Sequence, residues 1–159
     1  MGASTRLAPP AILRNRLFRR CGAAYGWPVA SGYELVVADR LIRVVFRGPQ
    51  DFQTTEDAIV EGSKLVKEKG LVCVLFDFRF ADPNGYFSEV VRHAERAERL
   101  GLSRDLRIAF FSPTQGELMD FMATVAVNRG WTARAFRDEA QALKWLNASG
   151  AQAAAPPGQ

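Results

Sequence analysis

The sequence predicts an α/β domain: a mixed five-stranded sheet, made of an initial hairpin followed by parallel βαβ units, with four main helices. Three observations lead there. Residues Leu71 to Phe76 are apolar without alternation, the pattern of a strand covered on both faces. On either side of that run, strand-like segments alternate with segments of helical period, an order that implies parallel pairing through crossover helices. Two β-branched runs near the start are separated only by Asp39 and Arg40, which suits a hairpin and makes the sheet mixed.

The hairpin runs are Tyr33 to Ala38 and Leu41 to Arg47, and the Asp39-Arg40 pair lacks the Gly that the tightest turns prefer. In the second run Ile42, Val44 and Phe46 share one face, while Arg43 and Arg47 mark the other as partly wet. Gly48 to Thr55 reads as a loop, with Thr54 or Thr55 capping a helix whose first turn holds Glu56 and Asp57. Ala58, Ile59, Leu65 and Val66 suit the buried side of that helix, and Gly70 is its natural stop. After the central strand Asp77 ends the burial, and Asp77 to Tyr86 reads as the next loop. Phe87, Val90, Val91, Ala94, Ala97 and Leu100 then fall at helical spacing before Gly101. Leu106 to Phe111 is a strand, Ser112-Pro113-Thr114 a helix start, and Leu118, Phe121, Met122, Val125 and Ala126 an apolar stripe ending near Gly130. Trp131 to Phe136 is the last strand. Asp138 with Gln141 has capping-box spacing for a final helix carrying Leu143, Trp145 and Leu146.

Length and composition bound the function. The 159 residues allow one domain with a real core, and 48% hydrophobic with 24% charged residues is a globular balance. No apolar run approaches the ~18 residues of a spanning helix. Cys21 and Cys73 are too few for a disulfide scaffold, which fits a reducing, cytoplasmic setting; Cys73 lies in the apolar run, where a thiol packs as a small hydrophobe. The net charge of +4 belongs to one end of the chain. Residues 1–32 hold five arginines (Arg6, Arg14, Arg16, Arg19 and Arg20) and no acid, whereas residues 33–147 hold all 17 acids against the remaining 16 basic residues. A domain so near neutrality lacks the basic patch of a nucleic-acid binder.

The organisation that follows is a basic, largely irregular arm at 1–32, an α/β domain at 33–147 and a disordered Ala/Pro/Gly tail at 148–159. An arginine-rich, acid-free leader has the composition of a transit peptide, and Cys21 to Ala30 that of a weak secretory core, although Tyr25, Gly26, Trp27 and Pro28 suit such a core poorly. A flexible arm, or a start assigned too early, accounts for the same residues.

The ββαβαβαβα order, the strand ending in LFDFRF and the closing FRDEAQALKWL resemble the SpoIIAA-like, or STAS-type, superfamily, in particular its bacterial branch named for joint similarity to STAS and SEC14 domains. The resemblance covers about residues 33–147. It rests most on Phe136, Arg137, Asp138, Glu139, Ala142, Trp145 and Leu146, which are cap and core positions. It implies two roles: binding of a protein partner under a serine phosphoswitch, or SEC14-like binding of an apolar or lipid ligand. The switch loop would be Ala81-Asp82-Pro83-Asn84-Gly85, where Pro83 or Asn84 stands at the hydroxyl position, so no phosphorylation site is expected; Ser88 suits an exposed or capping serine.

Open α/β sheets bind ligands beyond the carboxyl ends of their parallel strands. The binding rim expected there consists of Asp77, Arg79, Asp82, Asn84, Gly85, Ser112, Thr114 and Gln115. Catalysis has little to draw on. Asp77 suits a turn cap more than a base, Asp77 and Asp82 sit at no fixed distance, and His93, the one histidine, flanks an apolar stripe. There is no zinc-type ligand set, no G-x-S-x-G elbow, no Walker A loop and no G-x-G-x-x-G; a receiver-type acidic pair and lysine are absent too. The reading is a non-catalytic STAS-like binding or regulatory module, without cofactor or metal, with a protein partner or a small apolar ligand. A small enzyme using the Asp77–Asn84 loop is the rival, and the half-wet sheet face allows a homodimer.

Overall fold

A computed structural model describes residues 12–13, 32–82 and 87–148, the first two by their backbone alone. The rest of the arm, Cys21 included, the loop residues Pro83, Asn84, Gly85 and Tyr86, and the Ala/Pro/Gly tail beyond Ala148 lie outside the described residues. The elements are β1 (Ile12–Leu13), β2 (Gly32–Ala38), β3 (Leu41–Pro49), α1 (Phe52–Lys69), β4 (Cys73–Asp82), α2 (Phe87–Ala97), β5 (Arg107–Phe111), α3 (Gly116–Asn128), β6 (Thr132–Phe136) and α4 (Glu139–Ala148). From β2 onward this is the ββαβαβαβα order that the STAS resemblance implies. The two-residue β1, too short to show any periodicity in the sequence, adds a sixth strand.

The strands lie in the sheet in chain order, β1 to β6. β1, β2 and β3 pair antiparallel; β3 to β6 pair parallel. A right-handed crossover to the next strand on the same side always lands on the same face. Hence α1, α2 and α3 all cover one face, where Ile42, Val44, Val74, Phe76 and Ile108 meet Ala58, Ile59, Val90, Met119 and Met122. α4 covers the other, packing Ala142 and Leu146 on Cys73, Leu75, Ala109, Phe111 and Phe136. β4 is therefore sandwiched, which explains its continuous apolar run; truncating the wholly buried Leu75 to Ala removes contacts on the order of 3 kcal/mol.

The local devices differ from expectation at three places. The hairpin closes without Gly because Asp39 takes the left-handed conformation (φ 53°), which Asp tolerates better than most residues. α1 is capped by Asp51, whose Oδ1 accepts from the Thr54 N–H at 2.7 Å, and not by Thr54 or Thr55. β3 runs on to Pro49, so only Gln50 and Asp51 remain between strand and helix, and the first turn holds no acid. The third difference is β4, which continues through Asp82. Asp77 is thus inside the strand with 0% exposure, and does not end its burial. No described helix is long and apolar enough to cross a membrane.

Candidate functional site

Between Val45 and Arg47 of β3 the ladder with β4 slips. Val45 faces Asp77 and Arg47 faces Phe80, so three steps along β4 match two along β3 and β4 carries a bulge. A bulge re-aims the side chains that follow it. Here it brings Arg79 and Phe80 together, with the Arg79 guanidinium 5.2 Å from the Phe80 ring centre and that of Arg47 at 4.7 Å.

Asp77 is the buried charge this segment must compensate, since a carboxylate taken out of water is costly unless it is paired and hydrogen-bonded. Its Oδ1 accepts from the backbone N–H of Arg79 at 3.0 Å and its Oδ2 from the Arg79 guanidinium at 2.7 Å. Arg43, from β3, stands 3.9 Å from the same oxygen. Both arginines then reach Glu139 in the first turn of α4: Arg43 Nη2 donates to Oε1 at 2.5 Å and Arg79 Nη1 to Oε2 at 3.0 Å. Two cations and two anions close on one another. The hydrogen bond from Arg43 holds the Glu139 carboxyl below its ordinary value, against the opposing pull of partial burial. The cluster ties β3, β4 and α4 into one unit.

The remaining rim residues sit apart from this cluster. Asp82 is exposed at the end of β4 and Thr114 is exposed beyond β5, while Ser112 is wholly buried and its Oγ accepts from the Thr114 N–H at 3.4 Å. Gln115 donates to the Ala81 carbonyl at 3.2 Å, tying the end of β5 to the end of β4. Asn84 and Gly85 fall outside the described residues. Of the expected set, Asp77 and Arg79 meet side chain to side chain. Their partners Arg43 and Glu139 carried weaker signals: one marked the wet face of β3, the other stood at a cap position.

The described residues also contain an apolar cavity of about 80 Å³ between the first sheet face and its helices. Its floor is a row of stacked rings, Phe46 on Phe78 at 4.7 Å and Phe76 on Phe110 at 5.4 Å. Apart from Thr55 and His93, every wall side chain is apolar or aromatic. His93 is buried and stacks at 4.4 Å on Phe52, whose ring also carries the guanidinium groups of Arg92 and Arg96; burial pushes the imidazole down to about 4, so it is neutral at pH 7. Glu56 opposes that shift while accepting from Arg96 through both carboxylate oxygens. Among the described residues no group of three or more His, Cys, Asp or Glu is placed to hold a metal ion.

No family model and no curated protein matches the chain. Among solved structures it is similar to the anti-sigma factor antagonist SpoIIAA in its unphosphorylated form, at 14% identity and a TM-score of 0.46, over 74% of this chain and 97% of that one. It is also similar to an uncharacterised DUF3478-family protein with a SpoIIAA-like fold from Shewanella loihica PV-4, at 19% identity and a TM-score of 0.42, over 74% and 93%. Both are likenesses of fold and say nothing of ligand, partner or switching.

Proposed function

We propose that the chain is a non-catalytic binding or regulatory module of the STAS-like kind, working in a bacterial cytoplasm without a serine phosphoswitch. The observation that carries this reading is the closed charge cluster: Asp77 is engaged by Arg79 and Arg43, and these by Glu139, so the polar side chains converge on one another. A general base would need its carboxylate turned to a reachable point. On the resemblance, Pro83 or Asn84 takes the position of the switch hydroxyl.

The binding edge is the rim at the carboxyl ends of the strands. Among the described residues three large apolar side chains are exposed, and two of them, Phe80 and Phe87, border the loop between β4 and α2. Exposed aromatics flanked by arginine are common anchors of protein partners. An apolar or lipid-like ligand is the weaker reading, because a cavity of about 80 Å³ is well below the ~300–1,000 Å³ of ordinary ligand pockets.

Site-specific photo-crosslinking in the native cell tests the proposal, with the reactive group placed at Phe80 or Phe87 and, as controls, at Lys64 and Lys69 on exposed positions of α1. A discrete adduct from the rim positions alone is expected, and a mass of twice the chain would make the partner a second copy. Equal labelling at all four positions, or none, would count against it. So would turnover of an identified substrate that Asp77→Asn abolishes while the fold stays intact.

A further inference from the structure

Seven of the twelve described arginines stand in ion pairs with acids. Of the other five, Arg107 on β5 and Arg134 on β6 share one flank of the sheet. Both alternate with residues of the first face, Ile108 and Ala133, and so lie on the face that α4 covers, in line with Ala109 and Phe136. Arg107 stands opposite Thr132 in the ladder, two steps before Arg134. With strands about 4.8 Å apart and a rise of about 3.3 Å per residue, the two arginines are roughly 8 Å apart at Cα, within joint reach of one small ligand. Each guanidinium is laid on an aromatic ring: Arg107 lies 4.0 Å from the Trp145 ring centre, Arg134 5.5 Å from that of Phe136, and the two rings meet at 5.6 Å. Stacking holds a guanidinium by its plane and leaves its edge for donation. Arg107 Nε has no hydrogen-bond partner, and Thr132, whose hydroxyl can donate as well, is exposed beside it. Like charges this close on one sheet face repel. A single carboxylate would neutralise one of them, whereas a phosphate carries nearly two charges and fits the guanidinium fork.

We propose that the flank of α4 over β5 and β6 is a binding site for a phosphate group, held by the guanidiniums of Arg107 and Arg134 with the Thr132 hydroxyl as a further donor. It lies at the amino ends of β5 and β6, away from the partner-binding rim, and stands or falls separately from it.

The test is an NMR titration of the full chain at pH 7.5 and constant ionic strength, with inorganic phosphate and O-phosphoserine as probes and sodium chloride as the control. Saturable shifts are expected at the Trp145 indole N–H, the Arg107 Nε–H and the Thr132 amide, while the Trp131 indole, bonded to the Ser103 carbonyl, stays unmoved. Saturation by inorganic phosphate would show that the free ion suffices, and saturation by O-phosphoserine alone that the group arrives on a larger molecule; either supports the site. Arg107→Met and Arg134→Gln should each weaken binding at least tenfold, and the exposed Arg134 serves alone if Arg107→Met does not fold. No saturable response to either probe, the same shifts with chloride, or undiminished binding in Arg134→Gln would overturn the proposal.

Discussion

Arg79 satisfies both carboxylate oxygens of Asp77 from two places along the same strand, one through its backbone N–H at 3.0 Å and the other through its guanidinium at 2.7 Å. Removing the guanidinium leaves a wholly buried carboxylate with Arg43 at 3.9 Å as its remaining cation. Arg79→Met is therefore expected to destabilise by about 3 kcal/mol. The Asp77→Asn, Arg79→Met double variant should lose less than the two single losses added, by roughly 1–3 kcal/mol. Urea unfolding of the four proteins measures the difference, and strict additivity would mean that the two side chains do not act as a pair.

His93 links stability to pH. Its folded value of about 4 lies below the ordinary 6.5, so between those two values the unfolded chain binds a proton that the folded chain refuses. The contribution is complete above pH 6.5 and is lost as pH falls towards 4, on the order of 3 kcal/mol across the window. The urea midpoint should fall over that range in the natural chain. In His93→Leu the decline from pH 6.5 should be absent, and its persistence would show that another group carries it.

Glu139 acts at lower pH. Arg43, and then Arg79, hold its carboxyl below the ordinary 4.5, so the stability it lends is fully present above that value and is lost as pH drops below it. Glu139→Gln should be less stable than the natural chain at pH 7 and lose less on acidification from pH 5 to pH 3. Parallel acid limbs in thermal scans of the two proteins would contradict the cluster.

Asp51→Ala should cost about 1 kcal/mol by freeing the Thr54 N–H, and Asp51→Ser should recover most of it, because serine also caps. Thermal unfolding reads both. A null effect of Asp51→Ala would return the cap to the threonines.

The elements that sequence patterns could reveal were those whose neighbours in space are also neighbours in chain. Alternation of strand and helix was enough for the element order and the parallel pairing, but not for the order of strands in the sheet, in which each strand pairs with the strand before it. The extent of β4 was hidden because an acid after six apolar residues reads as the exit from a core, and only tertiary partners let Asp77 stay inside. Asp77 and Arg79 are two apart and so share a strand face, a signal that was present but required the strand to be carried past Phe76. Glu139 could not be read as their partner: its hydrogen bond from Arg43 spans 96 positions, and no local period encodes such a distance. The cap of α1 was read three or four residues late, at Thr54 or Thr55, because β3 was expected to stop at Arg47; with β3 running to Pro49, Asp51 holds the cap.

Because β1 to β6 stand side by side in chain order, the place where each strand docks is always the strand synthesised before it. The domain can thus be assembled in the direction of translation, one βα unit at a time, with no strand waiting for a later one to open a gap in the sheet. A nascent chain that has emerged as far as Phe111 presents β5 as its growing edge. One edge of the sheet is β6, whose exposed Thr132 and Arg134 put polar and charged side chains on that edge strand, where a further chain would otherwise add.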